Sequence, residues 1–116
     1  MCESLGDRLK RARSEKGLGL RATAKSAGIS ATYLSRIENN QETSPPSEEK
    51  LRNLAEILDD NFDELMQLAG RVPSDVADMI KSDSGMPAFL RRAKEQKVSS
   101  EKLLEILAEI EKKEGR

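Results

Sequence analysis

Apolar residues recur along this chain at intervals of three and four, the spacing that gathers them on one face of an α-helix. Leu5, Leu9 and Ala12 start the pattern and predict a first helix over residues 3–16, which Gly17 ends. The further predicted helices cover residues 20–27, 31–39, 47–58, 61–69, 74–82, 87–96 and 99–114. Because no stretch alternates between apolar and polar residues as a strand would, the pattern predicts an all-α fold.

Short polar residues and glycines mark where these helices begin and end. Ser30, Ser47 and Asn61 are predicted N-caps, because their side chains can accept hydrogen bonds from the first free N–H groups. Gly28 follows the second helix, the usual place for a left-handed residue. Asn40 ends the third helix, and asparagine tolerates a positive φ better than most residues.

Helix-breaking residues divide the pattern into two parts. Gly70 ends the fifth helix, and Val72-Pro73 follows almost directly. Proline has no N–H to donate and disfavours a helical conformation in the residue before it. We therefore expect a five-helix domain in residues 1–70 and a helical C-terminal region in residues 71–116.

The composition excludes several classes of enzyme. The 116 residues include no His and a single Cys, Cys2. A Ser-His-Asp triad, a Cys-His dyad, a His metal site and a thiolate cluster are therefore impossible within one chain. Gly17-Leu18-Gly19 is no phosphate loop, because no strand precedes it. We predict a protein that is not an enzyme and that needs no metal or cofactor.

The chain also lacks the apolar segments that membranes and secretion require. It contains no apolar run of about 18 residues, and its first residues lack the core of a signal peptide. With one Cys it can form no internal disulfide. These features favour a soluble cytoplasmic protein that makes no membrane contact.

Charge is distributed unevenly although the net charge is only −1. Residues 1–44 carry eight basic and five acidic groups, a net charge of +3, and residues 45–116 carry twelve basic and sixteen acidic groups, a net charge of −4. From Arg8 to Arg36, Glu15 is the only acidic residue. Such a segment can be the footprint of a polyanion or an ordinary solvated helix face, and the charges leave both interpretations open.

Residues 20–39 contain the arrangement that is richest in functional information. Two short predicted helices are joined by the turn Ala27-Gly28-Ile29-Ser30, which predicts a helix-turn-helix. The small Ala24 permits a close helix crossing, while Leu34 and Ile37 anchor the second helix to the core. The opposite face of that helix stays exposed, and it carries Ala31, Thr32, Ser35 and Arg36.

Three short motifs in this segment carry a family resemblance. With Gly28-Ile29-Ser30, Tyr33-Leu34-Ser35 and Ile37-Glu38, the chain resembles the lambda-repressor/Cro-like (XRE family) helix-turn-helix transcriptional regulators. The similarity extends from about Leu5 to Leu68 and covers the five-helix domain of that family. It implies a sequence-specific DNA-binding regulator, expected to be a dimeric repressor that binds a palindromic operator through the helix at about 31–39.

The resemblance also implies roles for individual residues. Ala31, Thr32, Ser35 and Arg36 are expected to face the major groove, where Arg36 can donate two hydrogen bonds to guanine. The alternative for Arg36 is an exposed arginine, unpaired or paired with Glu38 or Glu42. Glu38 is expected to brace the helices within the chain. The expected phosphate contacts are Arg21, Tyr33, Asn39, Asn40, Thr43 and Ser44. Tyr33 can instead be a partly buried core residue.

The chain departs from the family pattern in four places. Leu20 stands where a DNA-bracing Gln is common, so that contact is not carried over. Gly19 replaces the usual capping Ser, which predicts a poorly capped second helix. Thr23 replaces a large aliphatic residue, and Asn40 replaces a common Gly. These departures leave the predicted fold intact.

The apolar stripe of the last predicted helix is too apolar for a freely solvated helix, and the helix at residues 87–96 carries a second, smaller stripe. We interpret this region as a homodimerisation element. Packing within the same chain and contact with a regulatory protein are the alternatives. The residues assigned to dimerisation are Phe89, Leu90, Leu103, Leu104, Leu107 and Ile110.

Two functions therefore remain open. The first is a homodimeric regulator whose partner is double-stranded DNA, with a regulatory protein partner left unspecified. The alternative is an antitoxin or other protein-interaction module that uses the same fold and binds DNA only secondarily.

Overall fold

The structure, a computed structural model, describes residues 3–113, so Cys2 and the predicted end of the last helix at residue 114 lie outside the described residues. Within that range the chain is helical without strands, as the sequence pattern predicts. The helices are α1 (Leu5–Glu15), α2 (Leu20–Ala27), α3 (Ala31–Glu38), α4 (Glu48–Leu58), α5 (Phe62–Leu68), α6 (Ser74–Ser82), α7 (Met86–Glu95) and α8 (Ser100–Lys113). None of these described helices combines the length and apolar character needed to cross a membrane.

The predicted caps are confirmed. The side chains of Ser30, Ser47 and Asn61 each accept a hydrogen bond from a backbone N–H in the first turn of α3, α4 and α5. Gly19 makes no such bond at the start of α2, as its lack of a side chain predicts. Asn40 adopts the expected positive φ, at 58°. Capping residues at or next to the helix ends therefore determine where most of these helices begin or end.

Helices α1 to α5 enclose one aliphatic core. They belong to the first of two compact units, Met1–Ser74 and Asp75–Arg116. The largest fully buried side chains of this core are Leu9, Leu34, Leu51, Leu54, Leu65 and Met66. Because burial is the main favourable contribution to folding, this core gives the first unit a source of stability of its own.

A close helix contact fixes α1 against the end of α3. Gly6 is buried, and a Cβ atom added there would lie 2.8 Å from the carbonyl oxygen of Glu38 and close to that of Ile37. Only the absence of a side chain lets the two backbones approach this closely. This contact fixes the end of α3 from which the following loop departs.

The arginines of α1 bind carboxylates instead of forming an open basic surface. Arg8 donates to Asp60 at 2.7 and 3.0 Å and to Glu64 at 2.8 Å. Arg11 pairs with Glu3 and Glu15, and Arg13 pairs with Glu38. The count of basic residues along the sequence therefore overstates the cationic surface, because several of these acidic partners lie far away along the chain.

The second unit contains most of α6 together with α7 and α8, and no side chain of these helices is buried. Phe89 on α7 lines a shallow apolar hollow together with four residues of α8, Leu103, Ile106, Leu107 and Ile110. Large apolar side chains remain exposed around it, and Phe89 and Leu104 are 51% and 64% exposed. This unit buries little apolar area within itself.

Candidate nucleic-acid interface

The turn between α2 and α3 is built on Gly28. Its φ is 74°, and its N–H donates to the carbonyl of Lys25 at 3.1 Å. The next N–H, that of Ile29, donates to the carbonyl of Ala24 at 3.0 Å. This double closure is typical of a helix that ends in a left-handed glycine, and it turns the chain sharply into α3. The predicted helix-turn-helix is therefore present.

Burial on one side of α3 determines which side is exposed. Leu34 and Ile37 are buried in the core, and Ala24 of α2 is buried beside them, as the sequence predicts. Residues three apart on a helix share a face, so the two apolar anchors turn the opposite face of α3 outward. The capping bond from the Tyr33 N–H to Ser30 Oγ, at 3.0 Å, fixes the start of the helix.

The structure brings the four residues expected to read bases onto one concave surface. Ala31, Thr32, Ser35 and Arg36 line a shallow depression, which we call the α3 face, and Arg21 from α2 lines it too. Leu20 and Gln41 complete the lining, and sequence reasoning did not assign them to a site. Gln41 directly follows the Asn39-Asn40 helix end, and this position is the only signal that could have identified it.

Arg36 projects from this face and forms an ion pair. Its side chain is 55% exposed, and its Nε lies 3.0 Å from Oε2 of Glu42, whose side chain is 22% exposed. The pairing with Glu42 was one of the alternatives left open by the sequence. The contact is an ion pair at the Nε end of the guanidinium group.

The residues expected to contact phosphates lie in several different local environments. Asn39 turns its amide back onto α3 and donates to the carbonyl of Ser35 at 2.8 Å. Asn40 and Thr43 line a hollow beside the start of α1, while Ser44 is exposed in the loop. Tyr33 is half-buried against the core, and the Lys50 ammonium group lies 4.9 Å from its ring centre. Lys50 is a cation that the sequence analysis did not single out.

Glu38 makes the intramolecular contact expected from the sequence. Its side chain is 4% exposed and accepts hydrogen bonds from Arg13 Nε at 2.8 Å and Arg13 Nη2 at 2.9 Å. These bonds raise the pKa of the Arg13 guanidinium, although burial acts in the opposite direction. The pair braces α1 against α3 and removes the carboxylate from the surface.

Four further basic side chains in residues 10–25 are accessible. Lys10, Lys16, Arg21 and Lys25 are exposed, and none of them makes an ion pair with any residue from 3 to 113. Arg21 lies on the α3 face itself. Within the same range, no three carboxylate, thiol or imidazole side chains lie close enough together to hold a metal ion.

The turn between α2 and α3 and the small, polar outer face of α3 place this chain in the class of helix-turn-helix proteins. Comparison with known families identifies the particular family. The family model described as "Helix-turn-helix domain" matches residues 6–71. The chain belongs to this family. The resemblance to lambda-repressor-like (XRE family) regulators and the predicted fold are thereby confirmed.

Curated relatives match about half of this chain. The chain is 42% identical over 55 residues to the HTH-type transcriptional regulator SinR of Bacillus subtilis (strain 168), which covers 47% of this chain and 49% of SinR. The SinR of Bacillus licheniformis gives the same values. The chain thus spans about half the length of the curated relatives it matches. Both relatives are HTH-type transcriptional regulators.

Two solved structures extend the comparison. A SinR protein/SinI protein complex is 28% identical, with a TM-score of 0.50, and the match covers 97% of this chain and 99% of the matched chain. The P22 c2 repressor protein in complex with a synthetic operator is 25% identical, also with a TM-score of 0.50. That match covers 55% of this chain and 94% of the repressor chain.

Proposed function

We propose that this protein is a sequence-specific DNA-binding transcriptional regulator that reads its operator with α3. The observation that carries the proposal is the α3 face, on which the short side chains of α3 lie beside Arg36 and Arg21, while Leu34 and Ile37 anchor the opposite side of the helix in the core. An α-helix with such a surface fits the major groove, where base edges present distinct patterns of donors and acceptors. The homologous repressor that was solved with its operator supports the same assignment.

We assign the roles on this surface by side-chain chemistry. Arg36 donates to guanine, Thr32 contacts a base edge or a thymine methyl, and Ala31 and Ser35 permit close approach. Arg21 contacts a phosphate beside the face. The other proposed phosphate contacts are Tyr33 in the first turn of α3, Asn39 and Asn40 at its end, and Thr43 and Ser44 in the following loop. Lys50 adds a further positive charge next to Tyr33.

We assign residues 1–70 to DNA binding and residues 71–116 to homodimerisation. Helices α6 to α8 bury no side chain, and their exposed apolar groups need a cover that a second copy can provide. The assigned contacts are Phe89, Leu90, Leu103, Leu104, Leu107 and Ile110. Because one short recognition helix gives limited specific affinity, a dimer on a palindromic operator is the expected binding form, and blocking transcription is the expected outcome.

Selection of random duplex DNA by the purified protein tests this proposal, with sedimentation as a parallel measure of the oligomeric state. We expect enrichment of a palindrome whose half-sites are about one helical turn apart. Arg36→Ala should relax the preference at one or two base pairs and leave the far-ultraviolet circular dichroism unchanged. If wild-type protein enriches no sequence even at low salt, the DNA-reading function is wrong.

A protein-interaction module is the second candidate, and the exposed apolar surface of α7 and α8 favours it. The similarity to a complex of two proteins, which extends over nearly the whole chain, points in the same direction. On this proposal, the helical C-terminal region binds another protein, such as a toxin, and DNA binding is secondary. Failure to select DNA, together with a monomeric chain, would favour this function over the first.

A further inference from the structure

The loop after α3 folds back against the end of α3, the proposed recognition helix. The N–H of Asn40 donates to the carbonyl of Ile37 at 3.1 Å, and the N–H of Gln41 donates to that of Arg36 at 2.8 Å. With the positive φ of Asn40, these bonds reverse the chain directly after the helix. The next residue, Glu42, thereby places its carboxylate beside the Arg36 side chain, six positions earlier.

Glu42 is the more fixed member of this ion pair. Its side chain is 22% exposed, compared with 55% for Arg36. Glu42 also lines a hollow together with Leu5, Ile37 and Leu68, which belong to three different helices of the first unit. Because these neighbours restrict the acidic side chain, the pair restrains the longer and more flexible arginine.

The atoms used in the pair leave part of the arginine free for a base. Glu42 Oε2 lies 3.0 Å from Nε of Arg36, so the carboxylate engages the inner side of the guanidinium group. The Nη1 and Nη2 groups carry the other four N–H donors. Two parallel donors of this kind match the O6 and N7 acceptors of guanine.

We propose that Glu42 is a specificity-determining residue that positions Arg36 for guanine. This inference rests on the proposed DNA-reading function. The restraint reduces the number of side-chain arrangements that Arg36 must give up on binding. The negative charge of Glu42 also repels the DNA phosphates. On a sequence without the guanine, Arg36 gains no base contact, so the attraction between basic side chains and phosphates alone must overcome this repulsion. Glu42 thus favours the correct base by positioning Arg36 and disfavours other sequences by its negative charge.

The test can use intact, folded protein, because an ion pair this exposed contributes little to stability. Glu42→Ala removes both the charge and most of the side chain, whereas Glu42→Gln removes the charge and keeps a polar side chain of similar size. Glu56→Ala is the matched control, since it removes the same charge from an exposed position on α4. The target guanine is the one whose preference is lost in Arg36→Ala.

The binding measurements compare three duplexes: the selected operator, the operator with that guanine changed to adenine, and an unrelated sequence. Glu42→Ala should lower the discrimination between guanine and adenine roughly threefold to tenfold. Both Glu42 variants should bind the unrelated duplex several-fold more tightly than Glu56→Ala does. Glu42→Gln should keep most of the discrimination. In an Arg36→Ala background, Glu42→Ala should change the discrimination no further.

A second measurement needs no DNA. In nuclear magnetic resonance relaxation measurements on the free protein, the Arg36 side chain should have a higher Nε–Hε order parameter than the Arg21 side chain, and Glu42→Ala should abolish the difference. Equal order parameters in the wild-type protein would overturn the inference even if DNA is selected, and so would unchanged discrimination in Glu42→Ala. If wild-type protein selects no sequence but its Arg36 side chain is restrained, the ion pair exists, and both the base-reading role and the proposed function are wrong.

Discussion

At the scale of single residues, Thr23 is the least satisfied group of the first unit. Its side chain is buried in α2, and its hydroxyl has no hydrogen-bond partner among residues 3–113. A buried hydroxyl without a partner loses its bonds to water and gains none in return. Thr23→Val keeps the shape of the side chain and removes this group, so it should stabilise the fold by about 1 kcal/mol.

Urea unfolding followed by circular dichroism measures the effect of Thr23→Val. Thr23→Ser is the matched control, because it keeps the hydroxyl and deletes a methyl group. It should lower the free energy of unfolding by about 1 kcal/mol. A lower urea midpoint for Thr23→Val than for wild type would show that the hydroxyl is satisfied in solution.

The buried ion pair of Arg13 and Glu38 leads to a prediction of lower stability, opposite in sign to that for Thr23→Val. Arg13→Ala would leave a carboxylate that is 4% exposed without its partner, and would also remove the bond from Arg13 Nη1 to the carbonyl of Leu18. We expect a loss of about 3 kcal/mol in the free energy of unfolding. Arg11→Ala is the control and should have little effect, since its partners Glu3 and Glu15 are more exposed. Equal thermal midpoints for the two variants would contradict the bracing role.

At the scale of helices, Arg8 and Asp60 connect α1 to the chain between α4 and α5. Burial raises the pKa of Asp60, but the hydrogen bonds from Arg8 and from the Asn61 N–H outweigh it and hold the pKa below the ordinary 3.8. A carboxyl with a lowered pKa in the fold stabilises it above the unfolded-state value. This contribution is lost as the pH falls through the folded-state value.

The free energy of unfolding of wild type should therefore fall more steeply below about pH 5 than that of Asp60→Asn. Asp60→Asn should be the less stable protein at pH 7, and the gap should narrow in acid. Asp63→Asn is the control, because Asp63 is an exposed carboxylate on α5 that makes no ion pair with residues 3–113. Parallel pH profiles for wild type and Asp60→Asn would refute the linkage.

The same helices show which features the sequence can and cannot predict. The bounds of α2 and α3 follow from signals within a few residues, such as Gly28 and the Ser30 cap, so pattern reasoning places them well. The partner of Arg8 lies 52 positions away, and no local pattern connects the two residues. For Arg36, the sequence offers Glu38 and Glu42 equally, and only the folded loop selects Glu42.

At the scale of the whole molecule, the two units differ in how they are stabilised. The first unit has a buried aliphatic core, whereas no side chain of α6, α7 or α8 is buried. An exposed apolar surface of this kind is typical of a helix that associates with another chain. The first unit should therefore fold independently of residues 98–116, and the second should depend on a partner.

Deletion of residues 98–116, which contain α8, tests this dependence. We expect the truncated protein to remain folded, to sediment as a monomer and to bind its operator at least tenfold more weakly, because the two half-sites are no longer bound as one unit. Leu107→Glu in the full chain should have the same effect by placing a charge on the apolar surface, whereas Glu109→Ala on the same helix should not. A truncated protein that still sediments as a dimer would locate the dimer contact outside α8, and the assignment of Leu103, Leu104, Leu107 and Ile110 would be wrong.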